Sequence, residues 1–435
     1  MTSAPPDLQR RRLFAVLLLS CALFTLGGYL VKAQCKADYN HDRDRRLCSN
    51  DIQVLYAPRG IDRQIFPYIH GRLDHGQLVD GAIEYPVLTG IAAWFPGLFV
   101  HTASAYLSAT ALLLLPFTFL TTWLLGRMVR WRALLYAAAP PLVWYSFHNW
   151  DLLVVAATVA AFYQWSRGNR TWCAALLAVG GALKLWPAFF LLPLLLERLS
   201  QQDRRGALRA GGAFVAVTAA VNLPFLLINP AGWWAPYAFQ KDRAADITSN
   251  SIWFWGLPSL SLHTLNTLIP VLLAAAFLAA NAYGTWRAGR EGDYPFVQVS
   301  GAMLAAFLLL NKAHSPQYAL WLLPFFALLR LRWGWFAAYM AFDSLLYVGL
   351  FRWYYDLGRG HDFGIPKQML VLGVWGRAVM LVLLFVVFLR SRTALADAAS
   401  PPSPATSPSP APPPSAAPPP SAAPSPSAAP STSNA

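Results

Sequence analysis

Charged side chains are scarce in this sequence, so those that interrupt its apolar stretches or gather beside them are where chemistry is to be sought. Asp51 in Cys48-Ser49-Asn50-Asp51, Glu84 before Tyr85-Pro86, and Asp151 in His148-Asn149-Trp150-Asp151 supply carboxylates. Arg59, Lys184 in Lys184-Leu185-Trp186-Pro187, and Lys312 with His314 in Asn311-Lys312-Ala313-His314-Ser315-Pro316-Gln317-Tyr318 supply cations or an imidazole. A positioned carboxylate can take a proton from a hydroxyl, and fixed cations can hold an anion whose charge grows in a transition state. Lys184 lies within an apolar run, where a charge is costly unless it faces a cavity or a partner. The phosphate-binding Gly-x-x-x-x-Gly-Lys, His-Glu-x-x-His, Gly-x-Ser-x-Gly and Cys-x-x-Cys patterns are all missing. No close His/Asp/Glu cluster has ligand spacing, so neither a metal nor a cofactor is expected.

The elements that must position these residues are membrane helices. A chain of 435 residues with 56% hydrophobic residues, 12% charged residues and 18 Trp does not describe a soluble enzyme. The pattern predicts twelve spans: Leu13–Val31, Ala103–Leu125, Ala133–Ser146, Leu152–Trp165, Trp172–Leu183, Ala188–Leu196, Gly211–Leu227, Leu262–Trp286, Phe296–Leu310, Tyr318–Leu329, Trp335–Leu350 and Met369–Leu389. The four between Ala133 and Leu196 fall short of the ~20 residues of a full crossing, so half-helices or packed core helices stay open there. Val87–Val100 reads as a juxtamembrane or re-entrant helix.

The net charge of +14 comes from arginines that punctuate the spans rather than interleave with aromatics on a soluble face, which argues against nucleic acid. Arg127, Arg130 and Arg132, then Arg167 and Arg170, then Arg198 to Arg209, and onward to Arg390 and Arg392, close successive pairs of spans. This positive-inside pattern puts residues 1–12 and the C-terminus in the cytoplasm and makes Lys32–Pro86 the first extracytoplasmic loop, with the helical domain at residues 13–392. Residues 393–435, almost wholly Pro, Ala, Ser and Thr beyond Ala398, read as a disordered cytoplasmic tail. Cys21 and Cys173 sit in apolar runs as packing residues. Cys35 and Cys48 share the outer loop, either as a disulfide or as two thiols.

The segments from Cys48 to Tyr56, Arg59-Gly60, Pro67-Tyr68, Glu84 to Gly90, His148 to Asp151, Lys184 to Pro187 and Asn311 to Tyr318 together resemble glycosyltransferase family 87, its actinobacterial members in particular. The resemblance runs in order from Leu13 to Leu389. One departure is Trp186, where the family more often has Tyr before the proline. The resemblance implies an all-α fold, a polytopic transmembrane bundle of GT-C type in the plasma membrane with its active site on the extracytoplasmic face. It also implies a polyprenyl-phosphate-sugar donor, carrying mannose or arabinofuranose, a glycolipid or cell-envelope glycan as acceptor, and contact with membrane lipids. A lipid-phosphate donor needs a groove open to the bilayer, cations for the leaving phosphate and one carboxylate for the acceptor hydroxyl. The rival class is a membrane transporter or lipid flippase, whose ionisable residues would lie near the midplane in broken, repeated helices.

Each candidate has a competing structural role. Asp51 is expected to be the catalytic base, with capping of a helix start as the competitor. Glu84, with Tyr85, is expected to bind acceptor or to cap the next helix. Lys184 is expected to hold the donor phosphate with Lys312 and His314, or else to form a salt bridge with Asp151. His148, Asp151, Gln317, Tyr318 and Arg59 complete the expected binding set, although Arg59 and Arg243 also read as surface residues. The remaining loop acids Asp42, Asp44, Asp62, Asp74 and Asp80 read as solvated charges.

Overall fold

The structure, a computed structural model, describes residues 6–395. The expected tail therefore lies outside the described residues from position 396 onward. Among the described residues six helices are long and apolar enough to cross a membrane: Asp7–Ala33, Ala103–Ala137, Arg204–Ile228, Leu262–Glu291, Trp333–Leu357 and Ile365–Arg390. Even 25 residues rise about 38 Å, beyond the ~30 Å of a hydrocarbon core. The most apolar window of Arg204–Ile228 has none of its residues buried within the protein. Such a helix is at home only where its surroundings are themselves apolar, which makes this a membrane protein.

The other expected spans are occupied by shorter pieces. Asp151–Ser166, Arg170–Leu183 and Phe296–Leu310 hold 16, 14 and 15 residues. They rise about 21 to 24 Å, short of a full crossing. Tyr318–Leu329 is the ten-residue helix Ala319–Leu328, and Ala188–Leu196 lies across a 3-10 turn, Trp186–Phe190, and the helix Leu191–Ser200. Ala133–Ser146 breaks into Leu134–Ala137 and Pro140–Tyr145 at Pro140-Pro141. Val87–Val100 forms an 11-residue helix, Val87–Gly97. Proline and the polar segments around Lys184 and Asn311 stop these helices early.

The short helices are the core of the bundle. Every residue of Ala319–Leu328 is buried, as a helix apolar on all sides must be. One end of the core is fastened by arginines. Arg170 pairs with Glu197 at 2.8 Å, Arg132 donates to the carbonyls of Phe326 and Ala327, and Arg287 donates to those of Leu389 and Ser391. The opposite ends, at Asp151, Leu183, Leu310 and Ala319, converge on the polar residues described below.

The Lys32–Pro86 segment packs over this polar end. Its hairpin departs from the helical pattern: Arg72–Asp74 pairs antiparallel with Gln77–Val79 through a His75-Gly76 turn in which both residues have positive φ. Cys35 and Cys48 are joined in a buried disulfide. Because Cys48 stands three residues before Asp51, Cys48→Ser should lower both the thermal midpoint in detergent and the function of the site. A disulfide closing a loop of about this size is worth ~3 kcal/mol. An unchanged melting profile would show that the bridge does not constrain the loop.

Candidate active site

Asp51 opens the short helix Asp51–Leu55, but it does not cap it. The Asn50 side chain does, accepting from the backbone N–H of Gln53 at 2.8 Å. The capping alternative for Asp51 is thereby corrected, and its carboxylate is left to the site. Asp51 Oδ2 accepts from Asn149 Nδ2 at 2.7 Å and from Gln317 Nε2 at 3.5 Å, while His148 Nε2 stands 3.9 Å from Oδ1. About a third of the side chain, 35%, opens into a cavity. Removal from bulk water raises the Asp51 carboxyl above its ordinary value, opposed by the Asn149 hydrogen bond and then by the charge of Lys184. His148 Nδ1 faces the Ser49 carbonyl at 3.0 Å, so it carries the proton. Burial holds that imidazole well below its usual range and keeps it neutral.

Asn149 is the node of the site. Its Nδ2 donates to Asp51 and to the Tyr85 hydroxyl at 2.6 Å, and its Oδ1 accepts from Lys184 Nζ at 3.3 Å. Lys184 also pairs with Asp151 at 2.9 Å, so the salt-bridge alternative is realised. Asp151 Oδ1 takes a further hydrogen bond from Trp321 Nε1 at 2.8 Å, whereas its buried Oδ2 has no partner. An ammonium has three protons, and two are engaged here. The charge is otherwise surrounded by ring faces, with Tyr85 at 4.9 Å, Trp321 at 5.6 Å and Tyr318 at 5.7 Å.

Two adjoining cavities meet at this lysine. One of about 380 Å³ is largely apolar, walled by Pro86, Leu185, Trp186, Pro236 and Phe307. The other, about 320 Å³, is polar and holds Asp51, His148, Asn149, Arg243 and Gln317. Both are bordered by Glu84, Tyr85, Lys184, Gln240 and Tyr318.

The remaining candidates divide. Lys312 borders the apolar cavity, but its ammonium is spent on the Lys241 carbonyl and Asn266 Oδ1, both at 2.6 Å, and burial lowers its pKa. Arg59 lies outside both cavities and neutralises Glu84 at 2.7 Å. Asp151 sits beneath Lys184 rather than in either cavity. His314 turns away altogether. Its Nδ1 donates to the Leu308 carbonyl at 2.7 Å, and its unpartnered Nε2 belongs to a water-sized void shared with Asn250 and Arg377. Burial holds His314 neutral as well, so it brings no positive charge.

Two residues escaped the reading of the sequence. Asn149 carries an uncharged amide, which gives no signal of its own in the sequence. Lys32 ends the first apolar run, where a lysine looks like an ordinary flank. The family model described as glycosyltransferase family 87 matches residues 84–310, just over half of the chain, and no curated protein matches it. The matched stretch contains Glu84, Tyr85, His148, Asn149, Asp151 and Lys184, while Asp51 and the Lys312–Tyr318 segment flank it.

Proposed function

Because the chain belongs to glycosyltransferase family 87, we propose that it moves a hexose, mannose in the first instance, or an arabinofuranose from a polyprenyl-phosphate carrier to a glycolipid or glycan. The family decides between the two classes, transferase over transporter or flippase. The observation that carries the finer reading is the pair of cavities joined at Lys184. An isoprenoid chain matches the apolar cavity, the phosphate meets the ammonium, and the sugar reaches the polar cavity where Asp51 waits. A sugar nucleotide has no apolar part to fill the first cavity.

The reaction is a single displacement. The acceptor hydroxyl oxygen attacks the anomeric carbon and its proton passes to Asp51. The bond from that carbon to the phosphate oxygen breaks, and its electron pair leaves on the polyprenyl phosphate. Attack opposite the leaving group inverts the anomeric configuration. Lys184 offsets the charge gathering on the phosphate, and Asn149 keeps the base and the cation in fixed relation. Membranes supplied separately with labelled polyprenyl-phosphate-mannose and its arabinofuranose counterpart test the donor. Transfer from one of them is expected, and transfer from neither, with a properly folded protein, would overturn the reading.

The site is read as extracytoplasmic in the plasma membrane. Support comes from the arginines fastening the far end of the core and from the Cys35–Cys48 disulfide in the loop beside Asp51. A single reporter cysteine at the exposed Asp74 should react with a membrane-impermeant thiol reagent on intact cells. The native free cysteines, Cys21 and Cys173, are buried and should stay silent. Labelling only after permeabilisation would reverse the orientation.

A further inference from the structure

Lys32 stands near the end of the helix Pro6–Ala33, and its side chain is completely buried. Its ammonium donates to the Ser49 carbonyl at 2.9 Å and to the Tyr347 hydroxyl at 2.7 Å, and it lies 5.1 Å from the centre of the Tyr347 ring. Among the described residues no carboxylate pairs with it directly. A buried ammonium without a contacting counter-ion is costly, so the fold retains it against its own stability.

The contacts lead to Asp51. Ser49 is two residues upstream, and its carbonyl also receives His148 Nδ1 at 3.0 Å. The next residue, Asn50, is held at both backbone groups by the Tyr39 hydroxyl, at 2.9 Å from its N–H and 2.8 Å from its carbonyl. The N–H of Asp51 donates to the His148 carbonyl at 2.8 Å. The Tyr347 hydroxyl passes on to the Leu47 carbonyl at 2.5 Å, tying the same stretch to the helix Trp333–Leu357. Every peptide from Ser49 to Asp51 is therefore pinned, and the Lys32 amine is part of that set. Burial raises the Asp51 carboxyl, and Lys32, when charged, opposes it after the larger effects of Asn149, Lys184 and Arg243; at His148, burial first and then the Lys32 and Lys184 charges disfavour the imidazolium.

We propose that Lys32 is a positioning residue for the base: its buried amine, anchored on Ser49 and Tyr347, fixes the Ser49–Asp51 backbone and, when protonated, favours the Asp51 carboxylate from outside the cavity. The inference rests on Asp51 being the base. Its test is the pH profile of transfer, measured with whichever labelled donor the wild type uses, for wild type, Lys32→Met, Lys32→Arg and Asp51→Asn. Lys32→Met keeps the length of the side chain and removes the charge, so the acid limb should shift to higher pH. Lys32→Arg keeps the charge and should leave the limb where it is. Should Lys32→Met fail to give a monodisperse protein, Lys32→Gln, neutral but still able to donate hydrogen bonds, is read in its place with the same expected shift. If the neutral variant transfers more slowly with its limb unmoved, or Lys32→Arg shifts the limb equally, the residue acts through packing alone and the inference falls. If Asp51→Asn stays active with the wild-type limb, the base is elsewhere and both readings fall. Loss of transfer in Asp51→Asn beside an unmoved limb in Lys32→Met overturns the Lys32 inference only.

Discussion

Asp51→Asn is expected to keep the lipid donor bound and to lose transfer by about 10²- to 10⁴-fold, the usual contribution of a positioned general base. The substitution preserves shape and removes basicity. It should not disturb the fold, because the helix start at Asp51–Leu55 is capped by Asn50 and the Asp51 backbone N–H still reaches the His148 carbonyl. Glu84 is the natural control. It borders both cavities, yet its carboxylate is engaged by Arg59 at 2.7 Å, whereas Asp51 contacts only the amides of Asn149 and Gln317 and a neutral imidazole 3.9 Å away. Glu84→Gln should therefore lose less than Asp51→Asn. The reverse order would move the base to Glu84, and full activity in both would end the single-base mechanism. The pH dependence carries a definite sign. Desolvation raises the Asp51 carboxyl above its ordinary 3.8, and a base must be ionised to work, so transfer should fail on acidification sooner than it would with an ordinary carboxylate.

What the sequence made legible depended on whether the signal was local. The clustering of arginines between apolar runs is local, and the structure does gather several of those arginines at one end of the core. A span count depends instead on where helices stop. Leu152–Trp165 and Trp172–Leu183 read as weak spans because the helices that hold them, Asp151–Ser166 and Arg170–Leu183, end inside the bundle, at a polar floor that hydropathy cannot place. Lys184 announces itself by the cost of a charge among apolar neighbours, and Asp151 is the sequence's candidate for its partner. His314 looked equivalent to Lys312 in sequence, but two residues along an irregular loop carry its ring to the far side, against Leu308 and Arg377. Capping competed with catalysis at Asp51 because Ser-Asn-Asp offers three candidate caps in a row, and only backbone geometry selects Asn50. Lys32 and Asn149 were illegible for a different reason: their importance lies in partners 17 to 315 residues away.

Lys184→Met should abolish most transfer, but the geometry shows why that variant alone cannot be interpreted. Its removal leaves the Asp151 carboxylate fully buried, held only by Trp321, with Oδ2 still unpartnered. Breaking a buried pair from one side typically costs about 3 to 5 kcal/mol, enough to confuse loss of fold with loss of chemistry. The double variant Lys184→Met with Asp151→Asn removes both charges at once and leaves a neutral amide to accept from Trp321. It should recover a thermal midpoint close to that of wild type. If the ammonium stabilises the departing phosphate, transfer in this folded double variant should still be down by about 10²- to 10³-fold, as when one preorganised donor is removed from a developing anion. Donor affinity should weaken in the same protein, since the ground-state phosphate already carries charge. Near-native transfer in the double variant would assign the Lys184–Asp151 pair to structure alone. The phosphate would then need another cation, and Lys312 is poorly free to serve because its ammonium is committed to Lys241 and Asn266. Arg243, which borders the polar cavity and donates to the Thr248 hydroxyl at 3.0 Å, would be the residue to substitute next.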